Sequence, residues 1–190
     1  MSIKNLFALQ GHLWTERLGA MDSLMSWRCN LIGQKKPIKS FFRLVSRLGD
    51  GYLWLIWAVL LPLYYGWNGL LLSLQLLVTG LGGVLIYWVI KRKTSRLRPC
   101  EAHPHIEAHL PPLDRFSFPS GHTLHAVCMS CLLVAALPAL WPWLAIIALL
   151  IALSRLILGL HYPSDVLLGA FLGWGLAQVS QAVRLPLLIS

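Results

Sequence analysis

From residue 51 to residue 90 the chain carries no Asp, Glu, Lys or Arg, and Trp67-Asn68-Gly69, a turn-like break, divides the run near its middle. Forty residues at about 1.5 Å each are enough to cross a hydrocarbon core about 30 Å thick twice. A second uncharged run extends from Phe116 to Ser154 and is interrupted by Pro138 and Pro142, which predicts another hairpin of two passes. Val166 to Val183 is long enough for one more. The pattern predicts an all-α polytopic membrane helix bundle with about five transmembrane helices, near 51–66, 69–90, 119–138, 141–160 and 164–183. The first of these is short.

Residues 1–50 are apolar in part, but Glu16, Arg17, Asp22, Arg28, Lys35, Lys36 and Lys39 interrupt them too often for a span. Each charge at mid-bilayer costs roughly 2.5–3.5 kcal/mol on insertion scales. An interfacial arrangement follows. Phe41, Phe42, Leu44, Val45 and Leu48, with Arg43 and Arg47 between them, suit an amphipathic segment lying on the headgroups. The expected organisation is an interfacial N-terminal region, 1–50, and a transmembrane domain, 51–190, with a long connection at 91–118. The N-terminus lacks the charged start, apolar middle and small-residue cleavage site of a signal peptide, so insertion is expected to rely on the spans.

Composition agrees with the pattern: 57% hydrophobic residues, 12% charged and a mean hydropathy of +0.66 fall outside the usual balance of a soluble domain. The net charge of +9 raises nucleic acid as a partner, but no soluble domain presents a basic groove and no nucleic-acid motif is present. Anionic headgroups or a phosphorylated substrate fit better. Cys29, Cys100, Cys128 and Cys131 form no convincing disulfide framework; Cys128 and Cys131 read as small packing residues of one helix.

Chain direction alternates at every crossing, so the end of the second span, the start of the third, the end of the fourth and the start of the fifth share one face. Those ends carry Lys91, Ser120-Gly121-His122, Arg155 with His161, and Asp165. Ionisable groups at membrane depth are expensive and tend to be functional or paired. Arg98 offers a planar fork for phosphate oxygens and Lys91 a compact charge, whereas Arg92 and Lys93 read as snorkelling residues that stop a span. Ser120 suits a helix N-cap, Gly121 allows close backbone approach, and the exposed amides favour an anion. Arg155 lies too deep for a casual surface charge. His161 with Asp165 nearby suggests a carboxylate that orients one ring nitrogen and leaves the other as a nucleophile.

Lys91-x6-Arg98-Pro99, Pro119-Ser120-Gly121-His122 and Ser154-Arg155-x5-His161-x3-Asp165 resemble the three-part signature of the type-2 phosphatidic acid phosphatase superfamily. That family includes bacterial lipid phosphatases, undecaprenyl pyrophosphate phosphatases, class A acid phosphatases and vanadium haloperoxidases. All three parts match, and the apolar chain fits the membrane branch. The resemblance implies that Lys91, Arg98 and Arg155 bind phosphoryl oxygens with Ser120 and the Gly121 amide. It implies that His161 attacks phosphorus to form a phosphohistidine, that Asp165 fixes its tautomer, and that His122 protonates the leaving group and then activates water. No metal and no cofactor are implied.

The expected function is hydrolysis of a lipid-linked phosphate monoester or diphosphate of the phosphatidic acid, phosphatidylglycerol phosphate or undecaprenyl pyrophosphate class. The alternatives are a lipid phosphotransferase using the same intermediate, a haloperoxidase, and a membrane protein that merely binds anionic lipid. In the connection 91–118, Cys100, His103, His105 and His109 match no standard zinc spacing, which favours a substrate-side loop. His125 either faces the same pocket or packs. Two features point to opposite orientations: residues 1–50 carry eight Lys or Arg and 91–118 six, with Arg184 on the opposite face, which favours a cytoplasmic site. The resemblance, to enzymes of the bacterial cytoplasmic membrane, favours the periplasmic face, and the expectation adopted is periplasmic. Oligomeric state is not legible.

Overall fold

The computed structural model describes the backbone of residues 3–189 and the side chains of residues 17–183, and all regular structure among them is helical. The helices are α1 (Ile3–Ile32), α2 (Lys36–Leu48), α3 (Tyr52–Thr94), α4 (Pro99–Ala102), α5 (Gly121–Ala136), α6 (Trp141–Ile157) and α7 (Pro163–Ile189), with a single 3-10 turn, Pro138–Leu140, between α5 and α6. Glu16 and Arg184, weighed above as charges, lie outside the described side chains.

Helix α3 is a hairpin. Gly66 has φ 54° and ψ −129°, a conformation that glycine adopts without a Cβ penalty, and the chain reverses there, one position before the predicted break. The Ser73 hydroxyl donates to the Ala58 carbonyl at 2.7 Å, two positions that a straight helix would hold about 22 Å apart. A Cβ on Gly69 would lie 2.0 Å from the Leu61 carbonyl oxygen, so glycine is also what lets the legs 52–65 and 67–94 meet.

Three stretches of the described chain are long and apolar enough to cross a membrane: Tyr52–Ala102, which contains the reversal, Pro138–Ile157 and Pro163–Val183. Gly121–Ala136 is apolar but shorter. The predicted spans 51–66 and 69–90 thus fall within one stretch. The leg 52–65 is only about 21 Å long, less than a core of about 30 Å.

Helix α5 sits among α3, α6 and α7 and buries Leu124, Ala126, Cys128, Leu132 and Leu133. Its approach to α7 is set by small residues: a Cβ on Gly169 would lie 2.5 Å from the Ser120 carbonyl oxygen and one on Gly173 2.3 Å from that of Leu124. Ala177, four residues further, is fully buried. Small side chains at four-residue spacing let two apolar helices pack backbone to backbone, as helices do in lipid. The other side of α7 exposes Leu167, Phe171, Trp174 and Val179, the surface a lipid-facing helix presents. Between α3 and α7, Thr79 and Ser180 hydroxyls share a hydrogen bond of 2.7 Å.

Helix α2 exposes Phe41, Leu44 and Leu48 on one side and buries Val45 and Ser46 on the other, packing on α6. The end of α1 is tied down by Asn30, whose amide donates to the carbonyls of Glu107 and Ile157 at 2.9 and 3.2 Å. Both N-terminal helices therefore pack against α6. All four cysteines are free.

Candidate active site

Each predicted site residue stands at the end of a helix or beside one. Lys91 occupies the last turn of α3, Arg98 precedes α4, Ser120 caps α5, Arg155 lies in the last turn of α6, His161 is in the α6–α7 connection and Asp165 is in the first turn of α7. A cavity of about 360 Å³ is lined by Lys91, Arg98, Gly121, His122, Arg155 and His161. Ser120 and Asp165 do not line it. They lie behind its wall, fully buried, and the Ser120 N–H donates to the Asp165 carbonyl at 3.0 Å, which fixes the start of α5 against the start of α7.

The three cations are buried but differ in what neutralises them. The Lys91 ammonium donates to both carboxylate oxygens of Asp114 at 2.9 and 2.7 Å. Arg98 donates through Nη2 to Asp114 Oδ1 at 2.8 Å, through Nε to the Asp114 carbonyl at 3.0 Å and through Nη1 to the Leu160 carbonyl at 2.7 Å. Burial alone would raise the Asp114 carboxyl, but Lys91 and Arg98 outweigh it and hold it below the usual carboxylate range. Arg155, 2% exposed, has no carboxylate within ion-pair distance among the described residues. Its Nη1 donates to the Ser46 hydroxyl of α2, and its buried Nε has no partner there. A guanidinium cannot shed its proton, so a buried one needs an anion.

The two imidazoles are held in opposite tautomers. Arg98 Nη1 lies 3.3 Å from His161 Nε2, and since guanidinium only donates, Nε2 carries the lone pair and Nδ1 the hydrogen. Nδ1 faces Asp165 Oδ2 at 3.6 Å, beyond hydrogen-bond distance, and has no hydrogen-bond partner among the described residues; that oxygen accepts the Tyr162 N–H at 2.8 Å. Burial first, then Arg155, Arg98, Lys91 and His122, pushes the His161 imidazole well below its ordinary range and keeps it neutral. His122 instead presents Nε2 to Asp50 Oδ1 at 2.5 Å. A carboxylate accepts, so here Nε2 bears the hydrogen.

Asp165 is held from outside the cavity. Arg96 donates through Nη1 to Asp165 Oδ1 and through Nη2 to Asp22 Oδ2, both at 2.7 Å, and lies 4.0 Å above the Tyr162 ring. Asp22, on α1, also accepts the Ser164 N–H at 3.0 Å, closing the first turn of α7. Asp22, Ser46, Asp50, Arg96 and Asp114 are the residues that reading by segment missed. Scarcity was the available signal: the chain has only seven acidic residues, and its four aspartates all reach this site or its supports.

The loop histidines do not line this cavity. His103 Nε2 contacts the Ser23 hydroxyl at 3.0 Å, and His109 is buried with its Nε2 unpartnered among the described residues; burial keeps the His109 imidazole below its ordinary range. Among the described residues no three His, Cys, Asp or Glu side chains gather as metal ligands. His125 lines the cavity and also ties α5 to α3, with Nδ1 2.9 Å from the Gly121 carbonyl and Nε2 3.0 Å from that of Gly80.

Residues 68–185 match the PAP2 superfamily, and the chain belongs to that family. It is 41% identical over 81 residues to the decaprenylphosphoryl-5-phosphoribose phosphatase of Mycolicibacterium smegmatis, covering 43% of each chain. It is 36% identical over 118 residues to the phosphatidylglycerophosphatase B of Bacillus subtilis, covering 56% of this chain and 53% of that one. The chain spans about half the length of these curated relatives. The fold also resembles the crystal structure of a transmembrane PAP2-type phosphatidylglycerolphosphate phosphatase from Bacillus subtilis, with a TM-score of 0.73, 27% identity, and coverage of 94% of this chain and 91% of that one.

Proposed function

We propose that this chain is a membrane-embedded phosphatase that hydrolyses a lipid-linked phosphate monoester or diphosphate through a phosphohistidine. One observation carries the reading. Arg155 is buried beside Arg98 with no carboxylate in ion-pair distance among the described residues, and the lone pair of His161 Nε2 points at the Arg98 guanidinium, which would hold a phosphoryl oxygen. A phosphoryl group seated on Lys91, Arg98 and Arg155, with the Gly121 amide at the start of α5, places its phosphorus before that nitrogen.

In the first step the Nε2 lone pair forms the N–P bond while the P–O bond to the lipid breaks. The leaving oxygen keeps the bonding electrons and takes a proton from His122. Asp165 stabilises the positive charge that develops on the His161 ring. In the second step His122 removes a proton from water, the hydroxide oxygen bonds to phosphorus, and the N–P electrons return to Nε2. Ser120 acts through the cap of α5. Three fixed cations supply the charge stabilisation on which phosphoryl transfer depends.

Acyl or prenyl tails remain among the apolar helices while the phosphate enters the cavity. The names of the relatives support a lipid-phosphate substrate, and the apolar helices support a membrane location; a bacterial cytoplasmic membrane with the site on the periplasmic face is part of the proposal. The test is phosphate release from a panel of lipid monophosphates and diphosphates by purified protein, with His161→Ala as control. Release by the wild type, its loss in the variant and an acid-labile phosphoprotein in a rapid quench are expected. Absence of release across the whole panel defeats the reading. Labelling of a single Cys introduced in the 100–118 connection, in intact cells, tests the face.

A further inference from the structure

Asp50 lies outside every part of the family signature, in the short Gly49-Asp50-Gly51 link between α2 and α3. The link is shaped to deliver its carboxylate. Gly51 has φ 117°, a backbone that favours glycine, and a Cβ on Gly49 would stand 3.2 Å from His122 Cδ2 and 3.1 Å from the Ile151 side chain. The link therefore runs directly alongside the imidazole edge, and Asp50 Oδ1 meets Nε2 at 2.5 Å. Asp50 also borders the cavity that holds Lys91, Arg98 and His161.

We infer that Asp50 is a positioning residue for proton transfer by His122. It fixes the ring so that Nδ1, which has no hydrogen-bond partner among the described residues, is the nitrogen that exchanges protons with the leaving group and with water. The proposal rests on the phosphatase reading above. A carboxylate at Nε2 assigns the hydrogen there in the neutral ring, leaving the Nδ1 lone pair to accept a proton. Once Nδ1 is protonated, the imidazolium is stabilised by the same carboxylate through a charge-assisted bond. Delivering that proton to the leaving oxygen returns the ring to its neutral form, and taking one from water in the second step restores the imidazolium. The proton count closes over the cycle, and Asp50 itself stays ionised throughout.

The two histidines would then form two carboxylate–imidazole pairs with opposite polarity. His161 turns Nδ1 to Asp165 and works through Nε2. His122 turns Nε2 to Asp50 and works through Nδ1. Such a division lets one ring serve as nucleophile while the other handles protons, each in the tautomer its task requires. Asp50 comes from the segment before the first apolar leg, so the N-terminal helices contribute a group to the chemistry rather than only a surface.

A proton donated to the leaving group matters in proportion to how poor that group is. The test compares kcat/KM, which covers steps up to phosphohistidine formation, for an alkyl phosphate and a nitroaryl phosphate carrying the same alkyl chain, using full-length protein in detergent. Asp50→Asn is expected to lower kcat/KM for the alkyl phosphate by at least about tenfold, a part of the roughly 100- to 10,000-fold that positioned proton transfer supplies, with a much smaller loss on the nitroaryl ester. Asp50→Glu is expected to recover part of the loss. In a His122→Ala background, Asp50→Asn is expected to add little, as for two residues acting as one unit.

Equal losses on both esters, or a full additive effect without His122, overturn the proposal by making Asp50 a structural residue. Unchanged or faster turnover of both esters by Asp50→Asn also overturns it, since Asp50 would then merely stand where the leaving oxygen goes. If Asp50→Asn does not fold, the Asp50→Glu variant and the His122→Ala background decide by the same leaving-group ratio. Wild-type release with His161 dependence but no leaving-group effect at Asp50 defeats only this inference. A wild-type protein inert on both esters and on lipid phosphates defeats the phosphatase reading, and this inference with it.

Discussion

Arg96 grips Asp165 with one guanidinium nitrogen and Asp22 with another, both at 2.7 Å, so a single side chain joins α1 to the carboxylate behind His161. Asp165 is fully buried, and Arg96 is its only ion-pair partner besides the histidine among the described residues. Arg96→Ala leaves that carboxylate without its cation and with Oδ1 untethered, Oδ2 still accepting the Tyr162 N–H. Turnover is expected to fall about 10- to 100-fold, equivalent to about 1.4–2.7 kcal/mol of barrier, with a smaller change in KM because Arg96 does not line the cavity. Arg96→Lys should recover part of kcat, since it keeps the charge but cannot fork between two carboxylates. Steady-state kinetics on the three proteins measures this; a loss confined to KM would rule the role out.

Asp114 occupies Lys91 and Arg98, two of the cations proposed to hold a phosphoryl group. A substrate must therefore displace the carboxylate or share its partners, and Asp114→Asn removes the competing charge. Inorganic phosphate should inhibit the variant about three- to tenfold more tightly, a gain of about 0.7–1.4 kcal/mol. Product-inhibition constants measured at fixed ionic strength check it. Weaker inhibition would mean that Asp114 chiefly preorganises the two cations.

The parts of the site that were legible in the sequence are those whose chemistry sits within one helix end. Lys91, Arg98, Gly121, His122, Arg155 and His161 were readable because alternating chain direction must bring the ends of apolar segments to one face, and all six line one cavity. Their partners were not readable, because Asp50 and His122 lie 72 positions apart and Ser46 and Arg155 109 apart. No local periodicity encodes such contacts. The reversal at Gly66 was nearly legible: the Trp67-Asn68-Gly69 break marks its place, but only the need for positive φ selects the residue that turns. The N-terminal region was read by its charges as a surface element. Asp22 and Asp50 of that region also pair with Arg96 and His122, and a count of scarce acids against the bases they meet is the one sequence signal pointing that way.

With His161 as the proposed nucleophile, the state of its ring sets the acid side of the pH profile. Nucleophilic attack needs the neutral ring, and burial together with Arg155, Arg98, Lys91 and His122 pushes its proton affinity well below the ordinary histidine value, about 6.5. In the free enzyme the ring should stay neutral below that value, so the acid limb that His161 imposes on kcat/KM is expected below about pH 6.5. Arg98→Gln removes one of the cations and should move the limb upward while lowering the rate. Stability follows the same sign. Between the folded and unfolded values the unfolded chain binds a proton that the native ring refuses. The His161 contribution is thus present above about pH 6.5 and is lost as the pH falls through the lower folded value. Profiles of kcat/KM and of thermal unfolding in detergent, recorded on the same preparations, test both.

The approach of α7 to α5 decides whether Asp165 and Ser120 can meet at all. Gly173 faces the Leu124 carbonyl so closely that a Cβ would sit 2.3 Å from the oxygen, while Gly175, two positions on, meets nothing within 4 Å. Backbone cannot yield as a side-chain tip can, so Gly173→Leu must push the helices apart. Overpacking of this kind costs about 1–3 kcal/mol, and here it acts four residues from Gly169, next to the Ser120 N–H to Asp165 carbonyl bond. Gly173→Leu is expected to lower the unfolding temperature and the phosphatase rate together. Gly175→Leu, made in the same helix with the same added volume, should leave both near wild type. Equal behaviour of the two variants in thermal unfolding and phosphate release would show that close α5–α7 packing does not hold the site.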